Sequence, residues 1–112
     1  MKARLPEGYG RSRGDMMKQL QKMQEDMQAM QAELAEREYI GSAGGAMVSA
    51  TVKGDHTVLR VDIKPEVIDP DDAEMLGDLV AAAVNDAVRL AGEDSAKEME
   101  KITGGVDLGG LV

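Results

Sequence analysis

The sequence predicts an α+β fold: an α-β-β-β-α protomer in which a three-stranded antiparallel sheet lies, in chain order, between two long helices. Three patterns carry this prediction. Residues 16–34 place Met16, Leu20, Met23, Met27, Met30 and Leu34 alternately four and three apart, a mean step of about 3.5 that holds an apolar seam on one side of a helix. Residues 46–64 alternate apolar and polar side chains in two runs around Gly54-Asp55, the period of half-buried strands. Helical spacing then returns, with Leu76, Leu79, Val80, Ala83, Val84, Ala87 and Val88 making one broad apolar face.

Each element has its own signals. Residues 1–14 are polar and basic, and Pro6, Gly8, Gly10 and Gly14 break any period, which predicts a flexible arm. Asp15 is the expected N-cap of the first helix, which should run to about Arg37. Tyr39 and Ile40 begin an extended stretch, and GSAGG at 41–45 removes side chains where the backbone must bend or meet another strand closely. In the following hairpin Val48, Ala50 and Val52 share one face and Ser49, Thr51 and Lys53 the other; Leu59, Val61 and Ile63 point inward and Arg60, Asp62 and Lys64 outward. Pro65 ends the hairpin. Asp69 is the expected cap of the second helix, with Pro70 at its first position. Gly92 should weaken or bend that helix, and TGG at 103–105 should end it before a Gly-rich flexible tail, 106–112. One domain, 15–105, results.

Composition bounds the chemistry. The chain of 112 residues has no Cys, no Phe, no Trp and one His, so it builds a small aliphatic core and gains from oligomerisation. The seam needs a long partner surface, either a second copy or the other long helix. Together with the Leu76-to-Val88 face it exceeds what one three-stranded sheet can cover, which predicts an obligate dimer. The absence of Cys excludes disulfides and thiolate catalysis and fits a reducing cytoplasm. The longest apolar run lies within 80–84, far short of the roughly 20 residues of a membrane span. No membrane partner is expected.

Charge is uneven. Residues 2–22 carry a net +4 against −12 for the rest, within a total of −8. A global field of that sign opposes binding to polyanions, but a nucleic-acid footprint is local.

The order and wording of these pieces resemble the YbaB/EbfC family of bacterial nucleoid-associated proteins. The resemblance rests on MMKQLQKMQEDMQAMQAELAE at 16–36, GSAGG at 41–45, Val48 to Gly54, VDIKP at 61–65, DDAEMLGDLVAAAVNDAV at 71–88 and MEKITGG at 99–105. It covers nearly all of 15–105 and implies a tweezer-like homodimer that binds double-stranded DNA in the cytoplasm, at the nucleoid, influences nucleoid organisation and gene expression, and needs no cofactor. The long basic arm and Gly77 depart from the family pattern.

Candidate contacts follow from position. Lys18 and Lys22, and Lys97 and Lys101, are pairs four apart whose ridges suit neighbouring phosphates. Both pairs are expected at helix ends remote from the sheet, converging at the tweezer tips, with Arg11 and Arg13 of the arm as further candidates. Solvated helix surface is the competing reading of each. The seam residues Met16, Leu20, Met23, Met27, Met30 and Leu34 are the candidate dimer interface. The acids Asp69, Asp71, Asp72 and Glu74 have a sufficient explanation in helix capping, so no metal is expected. His56 has no nucleophile or acid pair at a recognisable spacing, and no catalysis is expected. The alternative function is an interaction adaptor for replication or recombination proteins, contacting its partner through the Met-rich helix.

Overall fold

The computed structural model describes residues 7–104, and their side chains from residue 13 onward. Its order is α1 (Glu7–Glu36), β1 (Glu38–Ala43), β2 (Val48–Lys53), β3 (Val58–Ile63), a 3₁₀ turn at Pro65–Val67 and α2 (Ala73–Thr103). This is the α-β-β-β-α order the sequence predicts.

Helix α1 begins at Glu7, so Asp15 lies inside it and does not cap it. Extending an existing helix adds one hydrogen bond per residue without a new nucleus, and the glycines at 8, 10 and 14 do not stop it. Residues 1–6 of the expected arm and the tail from 105 onward lie outside the described residues.

The sheet has order β1-β2-β3, antiparallel throughout. Val48, Ala50 and Val52 on the central strand are fully buried. Their register partners are Ala43, Gly41 and Tyr39 on β1 and Ile63, Val61 and Val58 on β3, and α2 covers this face over β1 and β2. A bulge after the Thr51–Arg60 pair sets Val58 opposite Val52 and leaves Leu59 as the extra residue. Leu59, expected inward, is 43% exposed, and Val58, which takes the place opposite Val52, is 46% exposed. Thr51, expected on the solvated face, is buried between its cross-strand partners Ile40 and Arg60.

The core joins Val48, Ala50 and Ala83, with Leu76, Leu79, Val80 and Val84 of α2 packed against them. The closest line of α2 is made of alanines: Ala83, Ala87 and Ala91 recur every fourth residue and are buried. Gly92 does not interrupt the helix.

The start of α2 differs from the expected cap. Asp69 Oδ1 accepts from the Asp71 N–H at 2.9 Å, closing an Asx turn, and Asp72 Oδ1 caps the helix by accepting from the Met75 N–H at 3.1 Å. An Asp that bonds the backbone two residues on competes with its own use as a cap, so the helix starts three residues after Pro70.

Candidate nucleic-acid interface

The one-residue joint between α1 and β1 is Arg37. Its carbonyl accepts from the Gly54 N–H at 2.9 Å, tying the joint to the β2–β3 turn. Its guanidinium donates from Nη1 to Asp94 at 2.8 Å and from Nη2 to Glu98 and Glu33 at 3.4 Å each. The Tyr39 hydroxyl donates to the same Asp94 oxygen at 2.6 Å. Desolvation and the Asp94 carboxylate push the Tyr39 phenol up to about 12. The Tyr39 hydroxyl and then Arg37 hold Asp94 below the usual carboxylate range, and Lys101 and Arg37 do the same for Glu98.

These bonds lay the last turns of α1 beside Asp94–Glu98 of α2. From there α2 continues only to Thr103, whereas α1 reaches back from Glu33 through Lys22 and Lys18. At 1.5 Å per residue, with Arg37 level with the stretch from Asp94 to Glu98, Lys22 and Lys18 stand about 12–18 and about 18–24 Å beyond the level of Lys101. In one protomer the two lysine pairs are thus two separate patches along the rod and do not meet at one tip.

The patches differ in electrostatics. Lys18 and Lys22 are exposed and form no ion pair with another described residue. Lys97 is also without one, but it lines an open cleft of about 630 Å³ together with Glu93 and Asp94. Lys101 is bonded to Glu98 at 2.9 Å. Arg13 is exposed on α1, while Arg11 lies in the helical segment with its side chain outside the described residues. Of the cations nearer the sheet, Arg89 is matched by Asp86 and Glu93, Lys53 by Glu36 and Arg60 by Asp62, whereas Lys64, just after β3, is exposed and forms no ion pair with a described residue.

At about 100° per residue, the seam is centred roughly 140° around α1 from the Lys18–Lys22 ridge. Its exposure is graded: Leu34 is 6% exposed, Met23, Met27 and Met30 are half-buried, and Leu20 and Met16 are 49% and 59% exposed. Nothing among the described residues covers the far end of the seam. Among the described residues no group of three His, Asp or Glu is placed to hold a metal ion, and no helix is long and apolar enough to cross a membrane.

The sequence reading missed the Arg37–Tyr39–Asp94–Glu98 cluster. Only Glu33, four residues before Arg37, is a local sign of it; the other acids lie 57 and 61 positions away.

The sequence profile of the YbaB/EbfC DNA-binding family matches residues 10–106. A nucleoid-associated protein of Clostridium novyi is 47% identical over 104 residues, 93% of this chain and 91% of that one. Another, of Alkaliphilus metalliredigens, is 54% identical over 97 residues, 87% and 85% of the two chains. Among solved structures, an uncharacterised protein of Helicobacter pylori superposes with a TM-score of 0.62 at 17% identity, over 78% of this chain and 91% of that one, a likeness of fold.

Proposed function

The chain belongs to the YbaB/EbfC DNA-binding family, and from that premise we propose that it binds duplex DNA as a homodimer at the nucleoid in the cytoplasm, influencing nucleoid organisation and gene expression without catalysing a reaction. The observation that carries this reading is the Lys18–Lys22 ridge. It is free of ion pairs with described residues, stands on a projecting helix and faces away from the apolar seam. A second copy seated on the seam would leave both ridges outward, where they can replace counterions on phosphates.

Contacts of this kind position a protein on DNA without reading bases. The chain offers no Phe or Trp on which bases could stack, so sequence preference is weak. Arg11, Arg13, Lys97 and Lys101 extend the footprint, Lys101 at the cost of its bond to Glu98.

The test is duplex affinity over a range of salt. Replacing Lys18, Lys22, Lys97 and Lys101 by Gln lowers affinity on all sequences alike and flattens the slope of log K against log salt by about 0.9 per lost phosphate contact. Full affinity with an unchanged slope would refute this site and shift it to Arg11 and Arg13, which deletion of residues 1–14 tests separately. The adaptor reading is favoured by the open end of the seam. It is the better one if Met23 or Met27 substitutions abolish a protein contact while DNA binding is absent.

A further inference from the structure

We infer that Arg37 is a positioning residue: held among Glu33, Asp94 and Glu98, it sets the direction in which α1 leaves the sheet and so aims the Lys18–Lys22 ridge. The inference rests on the DNA-binding reading above and deepens it.

Three observations lead here. First, Arg37 alone occupies the joint between α1 and β1, where a flexible link would let the helix swing. Second, this one residue is tied to three other parts of the fold: its carbonyl to the hairpin turn at Gly54, its guanidinium to α2 through Asp94 and Glu98, and back to α1 through Glu33. Tyr39 fixes Asp94 from the strand side, so the acceptor is itself held. Third, residues 13–22 of α1 are exposed, and no described residue packs on them to set the direction of the helix.

The lever is long. Lys22 and Lys18 lie about 22 and 28 Å along the helix from Arg37, so a swing of about 10° at the joint carries Lys18 roughly 5 Å sideways. That displacement is larger than the separation of about 3 Å within which a donor and acceptor must come to bond. A ridge of phosphate contacts therefore depends on the rigidity of the joint. Arg37 is a cation near the proposed interface, yet three carboxylates already share its guanidinium, which leaves it a poor direct partner for DNA.

The two roles predict opposite results for Asp94→Asn. If Arg37 met phosphate directly, removing a neighbouring negative charge would strengthen binding or leave it unchanged. As a clamp, Asp94→Asn and Arg37→Gln both weaken duplex affinity, by about tenfold, and Asp94→Glu, which keeps a carboxylate, recovers most of it. The chain has no cysteine, so Gln24→Cys with Ala96→Cys gives two unique spin-label sites on exposed positions of α1 and α2. In full-length protein diluted with unlabelled chain, the label distance distribution is narrow, broadens with Arg37→Gln or Asp94→Asn, and narrows again with Asp94→Glu. Tyr39→Phe removes a single hydroxyl and gives a smaller change in the same direction; it carries the test if Asp94→Asn does not fold. Tighter or unchanged DNA binding by Asp94→Asn, or a distance distribution unchanged by all three weakening variants, overturns the inference. Should the wild-type protein not bind duplex at all, the DNA reading fails by itself, and the label distances alone decide whether Arg37 aims α1.

Discussion

Gly41 of β1 lies directly beneath Ala87 of α2, so close that a Cβ added at Gly41 would overlap the Ala87 backbone nitrogen and press on the Ala83 carbonyl. This contact sets the height at which α2 crosses the sheet, and it explains the alanines at 83, 87 and 91. Any larger side chain on that line would lift the helix and open the layer below.

Gly41→Val is therefore expected to cost at least about 3 kcal/mol, the upper range for overpacking, because the atoms it meets are backbone and cannot rotate aside. Thermal unfolding followed by circular dichroism checks this; a melting temperature equal to wild type would mean that α2 rides higher than described.

Two turn residues are held in the left-handed region without being glycine, Ala46 at φ 69° and His56 at φ 73°. Ala46→Gly and His56→Gly are each expected to raise stability by up to about 1 kcal/mol, since a Cβ in that conformation costs about 1–2 kcal/mol, partly offset by the greater freedom of glycine in the unfolded chain. His56→Ala keeps the same strain and removes an exposed ring, so it should be silent. Denaturant midpoints for the three variants separate these outcomes.

Met27→Asp with Met30→Asp places two charges in the half-buried middle of the seam. Sedimentation mass should fall from dimer to monomer and the melting temperature should lose its dependence on protein concentration. Unchanged mass would move the dimer contact off the seam, first to the open face of the sheet, where Ile40 is 61% exposed.

The carboxylates of Asp94, Glu98 and Asp86 are all held below their usual range, by the Tyr39 hydroxyl, Lys101 and Arg89 respectively as the largest causes. A lowered folded-state pKa stabilises the fold fully above the unfolded value of about 4 and ceases to do so as pH falls through the lowered value. Tyr39 works at the other end: its pKa of about 12 stabilises below the unfolded value of about 10 and is lost as pH rises through about 12. Melting temperature should thus hold a plateau near neutrality and drop on both sides. Asp94→Asn should melt lower than wild type at pH 7 and approach it as pH falls through the lowered Asp94 value, where both side chains become uncharged; parallel curves throughout would show that the Asp94 carboxylate is not coupled to folding.

Local pattern made much of this fold legible. The alternation through Val48, Ala50 and Val52 marks buried positions because a strand has period two, and that period survives whatever packs on it. Helix ends were harder to read. Asp15 and Asp69 have the right chemistry for caps, but the observed starts at Glu7 and after Asp72 were decided by helix propagation and by an Asx turn, two competitors that sequence chemistry alone does not rank. Leu59 departs from the alternation because a bulge makes it the extra residue of β3, and a one-residue shift of register reverses the faces of a strand. The Lys18–Lys22 spacing is visible in the sequence, but its distance from Lys97 and Lys101 is not, since that depends on where Arg37 locks one helix against the other.

The sequence by itself determined the family, the order of the elements, the apolar faces and the uneven charge, because these depend on residue type and on short, fixed periods along the chain. The tertiary structure alone decided what joins across long separations: Gly41 under Ala87, Arg37 and Tyr39 on Asp94, and the offset of the two lysine pairs. The physical reason is that such contacts form between residues dozens of positions apart, set by how closely two backbones approach and how far a long helix projects, and no local pattern carries that information.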